Sequence, residues 1–347
     1  VGDEMTKDEN PANSERPDEV TAVAVAPDRI FELATGFMAA KHLFAASELG
    51  VFDALAQGPA PLEELARRTR LSRRTARISA DAMVALGLLE WEGDAYRNGE
   101  VAAAFLAGGT VPDLRPFLRF WDQISYPAWL DLVDVLSGGP HSPVELDEAK
   151  QEVFSAGVEA IQASAARVFA TIHDFTSHHR LLDVGGGTGS WSAAVVRRHR
   201  HMSATVVDLP AVANLARQRI AAQNLSQRIA VGACDIRTGT LPEGHDVVLV
   251  ANLVHYFSPE QNLTLLRRVR DAVERGARLL VADFWTDRTH TQPLMAALMA
   301  GEFAVVTENG DVYSVEEACR WLDTTGWRFI DQLPLAGPVS LVVAEAI

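Results

Sequence analysis

Four glycines fall within five positions of the segment LLDVGGGTGSW, residues 181–191, directly after a short apolar run. Because glycine lacks a Cβ atom, Gly185, Gly187 and Gly189 can adopt positive φ and let the backbone approach a ligand closely. Their spacing is G-x-G-x-G, and Ser190 stands where a dinucleotide-binding G-x-G-x-x-G loop has its third glycine. The segment therefore predicts a loop that binds a small molecule, and its spacing argues against a dinucleotide.

An acidic residue precedes this glycine loop. The carboxylate of Asp183 would repel a pyrophosphate, whereas it would suit a ligand that carries an ammonium group and little negative charge. S-adenosylmethionine is such a ligand: its ammonium can meet acidic or carbonyl groups, and its carboxylate can meet backbone N–H groups. We therefore expect S-adenosylmethionine as the cofactor.

Two further acids end the next two predicted strands. Asp208, followed by Leu209 in VVDLP, can accept both ribose hydroxyls of a nucleoside. Asp235, in GACDIR, can accept from the adenine amino group, and Ile236 can pack on the adenine ring. A glycine loop with acids after the two following strands is a much more specific signal than the loop alone.

A histidine follows the fourth predicted strand of the same region. His255, in ANLVHYF, lies just beyond the carboxyl end of that strand, and Asn252 beside it is a candidate polar contact to a second substrate. Transfer of a methyl group to a hydroxyl needs the proton of that hydroxyl to be removed, and a phenol has a pKa of about 10. A positioned histidine can act as the general base.

The elements that must position these residues are strands and helices that mostly alternate along the chain. From residue 180 onward, apolar strand patterns alternate with helical ones, which predicts a Rossmann-like, doubly wound parallel α/β sheet over residues 177–347. The last two strand patterns, WRFIDQL and PVSLVVAEAI, are joined by LAGP and predict a closing antiparallel hairpin. Open sheets of this kind bind ligands at the carboxyl ends of their strands, where the loop, the acids and His255 fall.

The chain before this sheet has a different composition and pattern. Residues 1–25 are polar and acidic and predict a mobile tail, whereas residues 26–176 predict a mostly helical domain. Its residues 27–55 contain too many large apolar residues for one exposed stripe, which predicts a largely buried helix pair. Residues 60–97 predict a winged helix, with two helices followed by a strand hairpin around Gly93-Asp94.

A cluster of arginines lies around the turn of the winged helix. DNA binding and a structural module with a solvated or ion-paired arginine face are the two interpretations, and the net charge of −15 favours the structural one. We accordingly expect neither nucleic acid nor a membrane as a partner. The arginines are Arg67, Arg68, Arg70, Arg73, Arg74 and Arg77.

The segments DVGGGTG, VVDLP, the aspartate of the third strand and NLVHYFSPEQ together resemble the class I small-molecule O-methyltransferases. That family includes the plant caffeic-acid and flavonoid enzymes and bacterial enzymes that modify aromatic polyketides. The resemblance covers nearly the whole chain after the tail. It implies an S-adenosylmethionine site, a catalytic histidine at His255 and a homodimer formed through an N-terminal winged-helix domain.

Two positions depart from that family. Many members have an acid directly after the histidine, where this chain has Tyr256, and many plant members orient the histidine with a glutamate where this chain has Val312. Asp311 and Glu308 lie close by in sequence, so we expect one of them, with Asp311 favoured, to contact His255.

The resemblance implies that the acceptor pocket lies beneath a long insertion, residues 286–310. Met295, Met299 and Phe303 recur there at helical spacing, which is typical of a core stripe and also of a wall for a flat apolar ligand. Trp121 and Phe154, in the aromatic-rich helical domain, are further candidates for that wall. An aromatic small molecule is therefore the expected methyl acceptor.

Composition and rival functions complete the expectations. The two cysteines make no metal-binding spacing, no apolar run reaches the roughly 20 residues of a membrane span, and a cytoplasmic location without a bound metal is expected. The alternatives are an NAD-dependent oxidoreductase on a similar sheet and a DNA-binding regulator that senses a small molecule. A nitrogen or carbon acceptor would keep the cofactor and change the product.

Overall fold

The computed structural model describes residues 26–109, 112–139 and 147–347. The mobile tail expected over residues 1–25 lies outside the described residues. Among the described residues, helices dominate as far as residue 172, and a seven-stranded sheet organises the chain from residue 180 onward.

The N-terminal part is built from two long helices, several short ones and one small sheet. A π-helical turn, Trp121–Ser125, and a 3-10 turn, Trp129–Asp131, interrupt the later helices. The small sheet has the order β1-β3-β2 and is antiparallel. The elements are α1 (Asp28–Glu48), α2 (Val51–Leu55), β1 (Ala60–Pro61), α3 (Leu62–Thr69), α4 (Arg73–Ala85), β2 (Leu89–Glu92), β3 (Ala95–Asn98), α5 (Glu100–Phe105), α6 (Arg115–Phe120), α7 (Tyr126–Ala128), α8 (Leu132–Leu136) and α9 (Glu148–Ile172).

Two helices and a hairpin occupy residues 60–98, in the order expected for the winged helix. The Ser72 hydroxyl accepts the backbone N–H of Thr75 and so caps α4, because the first N–H groups of a helix have no partner within the helix. A buried core that includes Phe52, Leu65, Met83 and Tyr96 joins these elements to α2.

Helix α1 differs from expectation. Large apolar side chains in its N-terminal half are exposed in the single chain: Phe37 is 50% accessible, and Ile30, Phe31, Leu33 and Met38 are also open. The prediction that this helix pair is largely buried therefore holds for Val51 and Phe52 of α2 but is wrong for this half of α1 within one chain. An apolar face of this size is typical of a surface that another protein covers.

The second part is a mixed sheet with the order β6-β5-β4-β7-β8-β10-β9. Strands β6, β5, β4, β7 and β8 are parallel, and β10 is antiparallel to both β8 and β9. The doubly wound sheet and its closing hairpin are thus as predicted. The elements are β4 (Arg180–Val184), α10 (Ser190–Arg198), β5 (Ser203–Asp208), α11 (Pro210–Ala222), β6 (Ile229–Ala233), β7 (His245–Ala251), α12 (Pro259–Asp271), β8 (Val273–Asp283), α13 (Leu294–Val306), α14 (Val315–Thr324), β9 (Trp327–Pro334) and β10 (Ser340–Ala346).

Both faces of this sheet are covered, which explains its long runs of Val, Leu and Ile. One core includes Phe169, Trp191 and Leu249, and the other includes Val248, Leu265 and Trp321. Strand order reverses around β4, whose neighbours are β5 and β7. The crevice for a ligand in such a fold lies at the carboxyl ends of these strands.

Candidate active site

The glycine loop connects β4 to α10 as a tight turn. Gly185, Gly187 and Gly189 have φ values of +67°, +56° and +81°, a region that residues with a side chain rarely adopt. The N–H of Gly185 donates to the carbonyl of Val207 on β5 at 2.8 Å, which fixes the start of the loop against the neighbouring strand. A Cβ on Gly186 would lie 2.6 Å from the carboxyl carbon of Asp183, so this position also requires glycine.

Asp183 lies beneath the loop and is fully buried. Its Oδ2 accepts the hydroxyl of Ser192 at 2.6 Å, while its Oδ1 is buried without a hydrogen-bond partner among the described residues. Burial in a low-dielectric environment raises the pKa of Asp183 to about 6, since desolvation disfavours the charged form. A buried carboxylate with an unpaired oxygen is suited to a cationic ligand above it.

Asp208 stands at the end of β5 and holds the loop from the side. Its Oδ2 accepts the N–H of Gly187 at 2.9 Å, and its Oδ1 accepts the N–H of Leu209 at 2.7 Å. Burial raises the pKa of Asp208 above its ordinary value. Each carboxylate oxygen has a second lone pair, so both can still accept a hydroxyl.

Asp235 and Ile236 follow β6 at the same edge. Arg237 contacts the Asp235 carboxylate, with its Nη2 3.1 Å from Oδ2 and its backbone N–H donating to Oδ1 at 2.9 Å. Hydrogen bonds from the Arg237 side chain lower the pKa of Asp235, so this carboxylate remains an acceptor. Ile236 is buried in the core behind it. The structure thus brings all the sequence-predicted cofactor residues to one edge of the sheet.

The imidazole of His255 contacts a carboxylate that the sequence analysis missed. His255 Nδ1 lies 2.6 Å from Oδ1 of Asp283, the last residue of β8, and both side chains are almost fully buried. An ionised carboxylate only accepts hydrogen bonds, so in the neutral ring Nδ1 carries the proton and Nε2 carries the lone pair. The signal was available: Asp283 ends its strand in VADFW, just as Asp208 ends VVDLP.

The contact expected from Asp311 or Glu308 is not formed by either side chain. Asp311 directs its Oδ1 to the N–H of Val312 at 2.7 Å, and it meets His255 only through its backbone, whose N–H donates to the His255 carbonyl at 3.1 Å. Glu308 is exposed in the turn after α13. That prediction was wrong because Asp283 already occupies the Nδ1 side of the ring from the adjacent strand.

The glycine loop and the histidine segment are in direct contact. A Cβ on Gly185 would lie 2.9 Å from the side chain of Leu253, so that side chain packs against the first glycine of the loop. Leu253 is two residues from His255, and its neighbour Asn252 has a φ of +49° and donates its N–H to Ala282. A ligand seated on the loop therefore lies next to the histidine.

Helix α13 covers the imidazole. The ring of Phe303 stacks on that of His255, with centroids 3.9 Å apart and planes 13° from parallel, and His255 is 4% exposed. Met299 and Phe303 belong to one buried cluster, and Trp121 packs against it with its Nε1 buried and without a partner among the described residues. The structure thus brings Met299, Phe303 and Trp121 together, and their role as an acceptor wall stays a prediction.

The two other candidates for that wall lie elsewhere. Met295 is 52% exposed and lies outside the buried cluster of Met299 and Phe303, so its contact with an acceptor stays a prediction. Phe154 packs on Phe120 with centroids 5.7 Å apart, and Phe120 in turn contacts Trp121. Phe154 therefore supports the wall from behind.

The arginine cluster of the helical domain is largely ion-paired. Arg67 and Arg68 both contact Glu64, and Arg68 also donates to the carbonyls of Ala54 and Gly58. Arg73 contacts Glu63, and Arg77 contacts Asp81. Among the described residues, Arg70 and Arg74 of the cluster have no ion pair, and the choice between the two interpretations stays a prediction. In the described part of the chain, no helix is long and apolar enough to cross a membrane, and no group of side chains has the arrangement of a metal site.

A doubly wound sheet with a positive-φ glycine loop, acids after the next two strands and a buried histidine beside the loop defines the class of S-adenosylmethionine-dependent methyltransferases. Residues 136–328 match the model of the O-methyltransferase domain, and residues 31–108 match that of the O-methyltransferase dimerisation domain. The chain belongs to the O-methyltransferase family and uses S-adenosylmethionine, which excludes the oxidoreductase alternative.

Individual relatives agree with this assignment. The chain is 35% identical to 3-hydroxy-5-methyl-1-naphthoate 3-O-methyltransferase of Streptomyces sahachiroi, over 90% of this chain and 92% of the relative. It is 30% identical to the N,N-dimethyltransferase OxyT of Streptomyces rimosus, over 86% and 90% of the two chains. The crystal structure of the S-adenosylmethionine-dependent methyltransferase SibL, in its apo form, superposes with a TM-score of 0.78 at 34% identity, over 92% of this chain and 99% of that one.

Proposed function

We propose that the protein transfers a methyl group from S-adenosylmethionine to a phenolic hydroxyl of a polycyclic aromatic compound, with His255 as the general base. The observation that carries the proposal is the His255–Asp283 pair, 2.6 Å apart, on a segment that packs directly against the glycine loop through Leu253. A base fixed next to the methyl donor is what transfer to a poorly acidic hydroxyl requires.

The route of the proton follows from the geometry of the His255–Asp283 pair. Asp283 accepts from Nδ1 of His255 and fixes the tautomer, so the lone pair of Nε2 is available for the proton of the acceptor hydroxyl. The imidazolium that forms is stabilised by the buried carboxylate beside it. The cofactor supplies an electrophilic methyl group on its positive sulfur, and the chain contributes proton removal and alignment.

The cofactor residues would divide the ligand among them. Asp208 would accept the ribose hydroxyls, Asp235 would accept the adenine amino group with Ile236 and Leu209 beside the ring, and the glycine loop would take the amino-acid end. The positive end of the ligand would lie above Asp183, whose Oδ1 is unpaired. The charge of an ammonium group would favour the ionised form of this buried carboxylate.

The acceptor is inferred from the wall around His255. Phe303, Met299 and Trp121 present flat or flexible apolar surface beside the imidazole, and the naphthoate named for the 35% identical relative is a flat aromatic acid with a ring hydroxyl. Because Phe303 stacks on His255, acceptor binding requires that ring or helix α13 to move. Asn252 is retained as a polar contact at the edge of the site.

The test uses the purified protein, S-adenosylmethionine and 3-hydroxy-5-methyl-1-naphthoate as the first acceptor of a panel of hydroxylated naphthalenes and anthraquinones. We expect a product heavier by one methylene group, and His255→Ala should slow its formation about 10²–10⁴-fold, as typical of losing a positioned base. His179→Ala, at the opposite end of β4, is the matched control.

The same variant distinguishes an effect on cofactor binding from an effect on methyl transfer. Calorimetry with S-adenosylhomocysteine should give the same affinity for His255→Ala as for the wild type. Full activity of His255→Ala would overturn the role of His255 as base. Methylation of the matching 3-amino compounds in preference to the hydroxyl compounds would replace the proposed acceptor oxygen with nitrogen, the chemistry named for OxyT.

A further inference from the structure

A cavity of about 410 Å³ lies between α13 and α14, outside the site described above. Ala297 and Ala300 of α13 form one side, and Thr286, His290, Asp311 and Glu317 provide its polar groups. Val312 also borders it and packs on its other side with Met299 and Phe303. We propose that this α13–α14 cavity binds the ammonium group of a small molecule, a function beyond the proposed methyl transfer.

Two carboxylates in the cavity have unused acceptor capacity. Asp311 uses Oδ1 for the N–H of Val312, and Glu317 uses Oε2 for the N–H and hydroxyl of Ser314 at 2.7 and 2.8 Å. Among the described residues, Asp311 Oδ2 and Glu317 Oε1 carry no hydrogen bond. They are free to accept from a ligand with several N–H donors.

A buried hydroxyl supplies the second, independent observation. Thr286 is 3% exposed, borders the cavity, and has an Oγ1 that is buried without a hydrogen-bond partner in the described structure. Its backbone is fixed on both sides, since its N–H donates to Tyr313 and its carbonyl accepts from Val315. Buried polar atoms are nearly always paired, so this hydroxyl requires a hydrogen-bond partner, which a ligand in the adjacent cavity would supply.

Charge selects the ligand class. His290 Nε2 lies 3.2 Å from Glu317, and even a protonated imidazole leaves the cavity net negative because two carboxylates face one ring. An anionic ligand is therefore repelled, and a neutral alcohol would gain hydrogen bonds without the charge attraction. A protonated amine offers three donors and one positive charge, which match the two free carboxylate oxygens and the Thr286 hydroxyl.

The cavity is coupled to the histidine segment. The N–H of Asp311 donates to the carbonyl of His255, and a Cβ on Gly310 would lie 2.2 Å from that same oxygen. A ligand held by the Asp311 side chain would thus be connected to His255 through the backbone hydrogen bond of Asp311. The ammonium group could belong to a free amine or to a substituent of the methyl acceptor, and both sources share this chemistry.

The experiment measures binding directly, without methyl transfer. Calorimetric or ligand-observed NMR titration of the wild-type protein with cyclohexylamine should show saturable binding, whereas cyclohexanol, of the same shape and without charge, should bind at least tenfold more weakly. Asp311→Asn should weaken cyclohexylamine about ten- to hundredfold, the range for a lost charged hydrogen bond. Ala297→Leu, which narrows the cavity without changing its charge, should also weaken binding.

Asp331→Asn, an exposed carboxylate on the edge strand β9, is the charge-matched control and should bind like the wild type. Equal binding of amine and alcohol, or unchanged binding in both Asp311→Asn and Ala297→Leu, would overturn the proposal. In a methylation assay, competition of cyclohexylamine against the acceptor assigns the site to an amino substituent of the acceptor, and noncompetitive inhibition assigns it to a free amine. Failure of methylation leaves the binding result intact.

Discussion

Asp283 contacts His255 with one carboxylate oxygen and holds the backbone around it with the other. Oδ1 lies 2.6 Å from His255 Nδ1, and Oδ2 accepts the N–H groups of Leu253 and Val254, both at 3.1 Å. One buried side chain therefore fixes the ring, its tautomer and the turn that carries it. Because Leu253 also packs on Gly185, the same carboxylate links the imidazole of His255 to the glycine loop.

Substitution of Asp283 by asparagine tests whether both contacts of this carboxylate are needed for activity. The amide oxygen can accept from either the imidazole or the backbone N–H groups, and the amide nitrogen then faces donors on the other side. We expect kcat to fall about 10²–10⁴-fold, the range for loss of a positioned base. Steady-state kinetics across pH values measures it.

Asp311→Asn is the matched control for that variant, since its carboxylate contacts Val312 rather than the imidazole. It should change kcat by no more than about twofold, as expected of an exposed side chain. A larger loss in Asp311→Asn than in Asp283→Asn would return the orienting role to Asp311.

Asp183 should make stability depend on pH in an unusual direction. Burial raises the pKa of Asp183 to about 6, so between pH 4 and pH 6 the folded protein binds more protons than the unfolded chain does, and the free energy of unfolding falls as pH rises through this window. Asp183→Asn removes the buried charge and should stabilise the cofactor-free protein by about 1–3 kcal/mol at pH 7. The gain should shrink toward pH 4.

Urea unfolding at several pH values, with no cofactor added, measures this difference. The same variant should bind S-adenosylmethionine more weakly at pH 7, because the carboxylate beneath the loop no longer attracts the positive end of the ligand. A stability gain that is the same at pH 4 and pH 7 would show that the Asp183 charge is not its source.

Glu302 joins α13 to the helical domain, and two variants of it should differ in stability. Its buried carboxylate accepts the hydroxyl of Ser125 at 2.6 Å and the indole N–H of Trp129, and burial raises the pKa of Glu302. Glu302→Gln keeps an oxygen for both donors and removes the charge, so it should be neutral or stabilising at pH 7. Glu302→Ala leaves both donors without this acceptor and should destabilise the fold by about 2–5 kcal/mol.

Thermal and urea unfolding of the two Glu302 variants at pH 7 provide the comparison. Because the raised pKa means that the charged form is disfavoured in the folded state, Glu302→Gln should gain on the wild type as pH rises above the ordinary carboxyl range. If Glu302→Gln is as unstable as Glu302→Ala, the negative charge itself is needed at this junction.

Much of the fold and the cofactor edge followed from the sequence because local patterns determine them. Strand periodicity, the glycine spacing and the acids at strand ends depend on neighbours along the chain, and Asp183, Asp208 and Asp235 lie at one edge as predicted. The partner of His255 was missed because β7 and β8 are adjacent in space while His255 and Asp283 are 28 positions apart. Sequence proximity favoured Asp311, whereas sheet topology selected Asp283.

The exposure of α1 is the other feature that a single chain could not resolve, and it yields the last prediction. The large apolar side chains in the N-terminal half of α1 are exposed in one protomer, and residues 31–108 match a dimerisation domain. Phe37→Asp should therefore raise the dimer dissociation constant at least about thirtyfold, as for an interface residue worth 2 kcal/mol or more. Sedimentation equilibrium over a range of protein concentrations measures this dissociation constant.

The control variant is Ile330→Asp, at an exposed apolar position of the edge strand β9 outside the dimerisation domain, and it should leave the dimer unchanged. A monomeric wild type would contradict the expected dimer, and a Phe37→Asp dimer as stable as the wild-type dimer would place the subunit contact away from the apolar face of α1.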